Sequence, residues 1–216
     1  MSEMQQQRSE PFSDPDVQLM LEVQKGNVLA FEELMNRNQT RVHSLLQNIV
    51  GNWQLAEDLT QEVFFRIYKA RESYHPDALF STWLFRIVHN LALNSLRNKN
   101  RHPELLFGGS IKTQSSSSSQ SHQFAVEDLL LAQSSLMPTR QTDKKELRKI
   151  VQLAIESLGK RQRMALLLHR FEGMSYQEVA DVMQLSAKAV KSLLCRARLN
   201  LKEILKPYVE EGRFPL

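Results

Sequence analysis

The sequence predicts an all-α fold: two small helical domains joined by a flexible linker. Three observations carry that expectation. Apolar residues recur at helical spacing through most of the chain, and no stretch alternates apolar and polar side chains as a half-buried strand would. Seven Gly and seven Pro among 216 residues are too few for the closely spaced turns of a sandwich or barrel. Residues 110–121 (SIKTQSSSSSQS) hold seven serines and almost nothing to bury, which is linker composition.

The expected first domain covers residues 15–102, after a disordered tail over 1–14. Its first helix runs Val17–Gln24, with Val17, Met20, Leu21 and Gln24 on one face and Gly26 as the stop. The second spans Leu29 to Ile49 through Phe31, Leu34, Met35, Val42, Leu45 and Leu46. A third starts near Trp53 and reaches about Tyr74 through Ala56, Leu59, Val63, Phe64 and Ile67. His75-Pro76-Asp77 breaks it, Ser81 is a plausible N-cap, and a fourth helix from Thr82 turns Leu84, Ile87, Val88 and Leu91 inward.

The Ser-rich linker occupies 103–142, with an apolar patch at Leu129-Leu130-Leu131. A flexible chain of that length has a root-mean-square span of roughly 32–38 Å. The second domain, 143–207, opens with a helix on Leu147, Ile150, Val151, Ala154 and Ile155 that ends near Gly159. Gln162–Phe171 makes the next helix, stopped by Gly173. Ser175-Tyr176-Gln177-Glu178 has the spacing of a capping box and starts a short helix through Val179, Ala180 and Met183. Ser186 then caps a longer helix from Ala187 to about Leu205, before a tail over 208–216.

Composition closes several functional classes. No apolar run approaches the ~18 residues of a membrane span, and the polar start has no signal-peptide core, so a cytoplasmic chain without membrane insertion is expected. One cysteine, Cys195, excludes an internal disulfide and a Cys-rich metal site. The histidines His43, His75, His89, His102, His122 and His169 form no H-x-x-x-H pair, and there is no phosphate-cradling Gly loop or nucleophile elbow. Neither catalysis, a small-molecule substrate nor a cofactor is expected.

The net charge of +4 hides a strong segregation. Residues 1–62 carry 4 basic and 10 acidic side chains, and residues 63–102 carry 7 and 2. Residues 103–143 hold 2 and 4, residues 144–206 hold 14 and 6, and the last ten add a net −1. Two basic blocks separated by an acidic stretch point to two separate contacts with a polyanion.

The chemistry of each block differs. The short helix from Tyr176, a tight turn holding Leu185 and the basic helix after it form a helix-turn-helix. Lys188, Lys191, Ser192, Cys195 and Arg196 make one stripe on the second helix, with Arg198 beside it. Lys and Arg there can reach guanine edges or phosphates, and Ser192 can bond either. Arg161, Arg163 and Arg170 would serve phosphates or solvent. The fourth helix instead mixes cations and carboxamides: Arg86, His89, Asn90, Asn94 and Arg97, then Lys99 and Arg101, behind Phe80 and Trp83. That mixture suits unpaired or melted DNA, with an aromatic pocket for an unstacked base. Trp83 can equally sit in the core beneath the helix. The third helix shows Glu57, Asp58, Gln61, Glu62, Phe65 and Arg66, a face that repels DNA and either binds protein or is simply solvated.

The runs AEDLTQEVFFRIYKA, FSTWLFRIVHNLALNSLRNKNR and LGKRQRMALLLHRFEGMSYQEVADVMQLSAKAVKSLLCRAR resemble the extracytoplasmic-function (ECF) RNA polymerase sigma factors of the sigma-70 superfamily, in their sigma-E-like type. The resemblance covers residues 16–102 and 145–205. It implies that the first domain is sigma-2 and that Asp58, Gln61, Glu62, Phe65 and Arg66 bind the β′ clamp helices of core RNA polymerase. It implies that the loop His75–Ser81, with Phe80, and the helix Thr82–Arg101, with Arg86, His89, Asn90, Asn94, Arg97, Lys99 and Arg101, capture a flipped base of the −10 element and hold the melted strand. The second domain would be sigma-4, reading −35 duplex through Lys188–Arg198, with Ser175 and Tyr176 at phosphates and another face on the β-flap tip. An anti-sigma factor is a further implied partner, alongside promoter DNA. Cys195 stands where relatives often carry a large residue, so the −35 sequence is not inherited, and the thiol is either buried structure or DNA-facing. The competing reading is a helix-turn-helix regulator with a helical effector domain, which has no use for an acidic protein-binding face beside an Asn-rich helix.

Overall fold

In the computed structural model of the chain, residues 13–101 and 139–210 are described, with side chains over 13–98 and 148–208. The tail before residue 13, most of the expected linker, the side chains of Lys99 and Arg101 and the last six residues lie outside them. Among the described residues there is no strand. Eight α-helices follow in order: α1 Pro15–Gln24, α2 Val28–Val50, α3 Trp53–Lys69, α4 Phe80–Arg101, α5 Thr139–Ser157, α6 Lys160–Arg170, α7 Tyr176–Met183 and α8 Ala187–Glu210.

The first four helices form one module. Asn27 caps α2, its Oδ1 accepting the N–H of Leu29 and Ala30, and Asn52 caps α3 through Leu55. Between them Gly51 ends α2 at φ 68°, a left-handed residue that glycine adopts without strain. Val17, Met20, Leu34, Val42, Leu46, Val63, Ile67, Leu84 and Phe85 turn inward to a shared core. The third helix ends earlier than expected, at Lys69, because Arg71–Ser73 tightens into a 3₁₀ turn that delivers Tyr74 to the core. Asn38, almost fully buried, donates to the Leu34 carbonyl and to Asp16 Oδ2, and Arg37 donates to Asp16 Oδ1, so α1 is pinned to α2 by charge-assisted bonds.

The fourth helix starts two residues before Thr82, and Ser81 is not its cap. Asp14 takes that role from a distance. Its Oδ1 accepts the Asp16 N–H at 3.0 Å, capping α1, and its Oδ2 accepts the Phe80 N–H at 3.0 Å, capping α4 from 66 residues away. One carboxylate therefore fixes where two helices begin.

His43 marks the α2–α3 contact. Its ring meets Trp53 edge-on at 4.2 Å, and its Nε2 lies 3.7 Å from Glu57. Burial pushes the imidazole below its ordinary 6.5, against the pull of Glu57. A base with a depressed folded pKa adds stability that is whole above the unfolded value and fades as pH falls below it. The wild-type minus His43→Gln difference in Trp emission should titrate with its midpoint below 6.5, as imidazolium forms beside Trp53. A midpoint at or above 6.5 would contradict the burial account.

In the second module α8 crosses α5, α6 and α7, burying Val190, Leu193, Leu194 and Ala197. The capping box forms as read: Ser175 Oγ accepts from Glu178 N and Ser175 N donates to the Glu178 carboxylate. Ser186 Oγ accepts from Ala189 N at the start of α8. Between α7 and α8 the chain turns at Gln184, φ 55°, the only described non-glycine residue with positive φ. The Ala180 carbonyl accepts the N–H of both Gln184 and Leu185 there, which closes the turn. A β-branched side chain fits that conformation worst. Gln184→Val should cost about 1–2 kcal/mol in urea unfolding, and Gln184→Gly should stay within about 1 kcal/mol of wild type.

Candidate nucleic-acid and protein interfaces

Recognition by a helix needs a face that carries its polar groups outward while the opposite face holds the helix in place. On α8 the two faces separate cleanly. Lys188, Lys191, Ser192, Cys195, Arg196 and Arg198 are all exposed, opposite the buried Val190, Leu193, Leu194 and Ala197. Ser192 Oγ donates to the Lys188 carbonyl at 3.0 Å and Arg196 Nε to the Ser192 carbonyl at 3.3 Å, which lays both side chains along the helix. Cys195 is an exposed free thiol on this stripe, which removes the alternative of a buried structural residue. Ser175 is occupied by its capping box, and the half-buried Tyr176 packs its ring 4.8 Å from His169, whose Nδ1 is bonded to the Met174 carbonyl.

A second outward stripe runs along α4. Arg86, Asn90, Asn94 and Arg97 stand at offsets 0, 4, 8 and 11 and are all exposed. Two residues expected with them are elsewhere. Phe80 is fully buried, tilted against Trp83 at 5.8 Å and edge-on to Tyr74 at 6.3 Å. In this conformation no base can stack on it. Trp83 is half-buried in the same aromatic group, and Tyr74 beside it is pushed up to about 12 by burial, with Asp14 and Asp77 adding to it. His89 is 6% exposed, with Nδ1 buried and unbonded. Burial holds its imidazole below the ordinary range, against a side-chain hydrogen bond with Asn90, and the Arg161 guanidinium adds to the lowering.

On α3, Asp58, Gln61, Phe65 and Arg66 are exposed and Glu62 is half-exposed. Arg66 Nε donates to Glu62 at 2.7 Å, and Lys69 lies 5.3 Å over the Phe65 ring. Phe65 is 56% exposed, a large apolar side chain amid charge and therefore a natural anchor for a protein partner. The α3 and α4 faces meet in a groove of about 610 Å³ lined by Leu59, Arg66, Leu91, Asn94, Ser95, Arg97 and Asn98. Arg66 of the acidic face and Asn94 and Arg97 of the carboxamide stripe thus share one wall-to-wall cleft, which their separation in sequence conceals.

Arg163 departs from its expected service to phosphate or solvent. Its Nη1 donates to the Asn48 carbonyl at 3.1 Å and its Nη2 to the Leu158 carbonyl at 3.4 Å, tying α6 to the end of α2. Sequence periodicity offered no signal for this, since the partner lies 115 residues away. No group of His, Cys, Asp and Glu that could hold a metal exists among the described residues, and no described helix is long and apolar enough to cross a membrane.

Residues 34–102 match the family model of Sigma-70 region 2, and residues 148–201 match that of Sigma-70, region 4. The chain is 32% identical over 199 residues to an RNA polymerase sigma-H factor of Pseudomonas aeruginosa, covering 92% of this chain and 98% of that one. It is 33% identical over 196 residues to an ECF RNA polymerase sigma-E factor of Escherichia coli, covering 90% and 96%. In fold it is similar to a sigma factor solved in complex with an anti-sigma factor from Bartonella quintana, with a TM-score of 0.60, 22% identity and 83% and 98% coverage. A structure of CnrH in complex with the cytosolic domain of CnrY gives a TM-score of 0.60 at 24% identity, covering 90% and 99%. Two modules in this order, each matched by its own region and both spanned by relatives of the same length, place the chain in the ECF group of the sigma-70 family of RNA polymerase sigma factors.

Proposed function

We propose that the chain is an alternative sigma factor that docks on core RNA polymerase and directs it to promoters by reading −35 duplex with α8 and melted −10 strand with α4. The observation that carries the reading is the separation of three chemically distinct faces on two modules: a Lys/Arg/Ser stripe on α8, an Arg/Asn stripe on α4 and the acidic, Phe65-centred face of α3.

Each face suits one partner. Lys188, Lys191 and Arg196 project from a helix that a helix-turn-helix inserts into the major groove, where they can donate to guanine O6 and N7 or to phosphates. Ser175 and Tyr176, at the start of the preceding helix, lie where backbone phosphates pass. Asn90 and Asn94 can bond base edges of an unpaired strand, while Arg86 and Arg97 neutralise its phosphates, with Lys99 and Arg101 continuing the charge. Phe80 supports that helix from beneath. Asp58, Gln61, Glu62, Phe65 and Arg66 bind the β′ clamp helices, and the second module also holds the β-flap tip. The sigma-2 module comprises α1–α4 and the sigma-4 module α5–α8, so the expected bounds at 143 and 207 move out to Thr139 and Glu210, with the linker between residues 102 and 138. An anti-sigma factor is proposed as a regulatory partner, and the chain acts in the cytoplasm. It contributes no catalysis; polymerase supplies the chemistry.

Run-off transcription with purified core polymerase and a promoter library tests this directly. Start sites that appear only when the chain is added, and that share −10 and −35 sequences, are expected. A chain that binds duplex DNA but adds no start site would instead be a helix-turn-helix regulator.

A further inference from the structure

The groove between α3 and α4 joins an apolar floor to a cationic rim. Leu91, Asn94 and Asn98 stand at offsets 0, 3 and 7 on α4, and Leu59 and Arg66 lie two turns apart on α3, so each helix presents one stripe to it. Buried Leu91 and half-buried Leu59 supply the floor. On the rim, Arg66 spends its Nε on Glu62, while the side chains of Asn94, Arg97 and Asn98 bond no described residue. A volume of about 610 Å³ is the size of a pocket that encloses a small ligand, enough for a few large side chains.

The chain carries a matching segment just past α4. After Arg101 the sequence runs His102-Pro103-Glu104-Leu105-Leu106-Phe107-Gly108-Gly109. Pro103 has no N–H to donate and disfavours helical backbone at His102, so the helix signal stops there. One carboxylate and three large apolar side chains follow at once, and two glycines then let the chain leave in any direction. Glu104 is the only charged side chain from Pro103 to Ile111. These residues lie outside the described ones, and the groove lies wholly within them.

We propose that Glu104–Phe107 seats in the α3–α4 groove, with its three apolar side chains on the Leu59–Leu91 floor and the Glu104 carboxylate on Arg97, so that the linker leaves the first module beside the α3 face. The docking stands on the groove and the sequence alone. That Asn94 and Arg97 then serve both this run and the −10 strand rests on the promoter reading above.

Reach and chemistry select this occupant. Asn94 lies seven residues before Arg101, about 10 Å back along the helix axis. Leu105 to Phe107 lie four to six residues past Arg101, a reach of about 13–20 Å once the chain doubles back. Closing that loop costs less entropy than bringing in Leu129-Leu130-Leu131, which start 28 residues beyond the helix. Leucine and phenylalanine side chains displace water from the floor, and a carboxylate beside a guanidinium makes charge-assisted bonds.

Hydrogen exchange by mass spectrometry on the full chain, without polymerase or DNA, tests the docking, with circular dichroism to verify helix content. After correction for intrinsic rates, the amides of Leu105–Phe107 should exchange at least about tenfold slower than those of Ser115–Ser119. Arg97→Glu sets a like charge against Glu104 from an exposed position and should remove most of that protection. Leu59→Asp should do the same by wetting the floor, and Arg97→Glu decides the matter if Leu59→Asp loses helix. The exchanged pair, Arg97→Glu with Glu104→Arg, should restore the wild-type rate. Unprotected Leu105–Phe107 in wild type, protection that neither groove variant removes, or an exchanged pair that stays unprotected would each overturn the docking. So would protection at Leu129–Leu131 that responds to the groove variants, or protection that falls on dilution; these assign the groove to the other apolar run or to a second copy. Run-off transcription is scored separately: a docked run in a chain that starts no transcription would keep this inference and remove the promoter reading.

Discussion

Alanine at both Lys191 and Arg196 is expected to flatten discrimination at the −35 positions those two residues contact. Each residue is exposed on the outward stripe of α8, and each that contacts a base should contribute about 1–3 kcal/mol of selectivity at one position. The measurement is holoenzyme binding to a panel of −35 point variants at one fixed salt concentration. Wild type should rank the panel steeply, and the double variant should bind almost equally those members that differ at the one or two positions Lys191 and Arg196 contact. If the double variant instead loses the same affinity on every sequence, and the slope of log affinity against log salt falls by about two, both residues are phosphate contacts. Ser192 and Cys195, between them on the stripe, would then remain the candidates for base reading.

Asp14→Ala should be among the most destabilising single changes in the first module. It removes the cap of α1, worth about 1 kcal/mol, and strips the Phe80 N–H of its acceptor, worth about 1–3 kcal/mol. The sum, about 2–4 kcal/mol, is a large part of what holds a small domain together. Urea unfolding of the full chain, followed by Trp83 near the start of α4, reads it out. Asp14→Asn keeps an acceptor oxygen and should recover most of the loss. A change of less than about 1 kcal/mol for Asp14→Ala would mean that water replaces the carboxylate at Phe80 without penalty. The residue sits at the edge of the region a sequence reading treats as tail, so a trimmed chain starting after it should show the same defect.

Much of this protein was legible from its residues. The helices of both modules, the capping box at Ser175, the Ser186 cap and the outward stripe of α8 all follow from local rules: apolar spacing, side chains that accept backbone N–H, and a break in periodicity. The stripe on α4 was legible for the same reason, except at Phe80 and His89. Their residue types suit DNA, but burial is set by neighbours that sequence spacing does not name. Trp83 could not be placed from its own helix either, since its partner ring, Tyr74, arrives through a 3₁₀ turn that the periodic pattern runs past.

By itself, then, the sequence determined the all-α class, the two-module order, the faces that carry charge and carboxamide, and the family. Those are properties of residues within a turn or two of one another, or of whole runs compared with known ones. The tertiary structure alone decided that Asp14 caps a helix 66 residues away, that Arg163 is spent on Asn48 and not on phosphate, and that Arg41 and Glu172 pair across 131 positions. Such pairings form where packing brings distant groups together and excludes water, and no local pattern encodes which groups those will be.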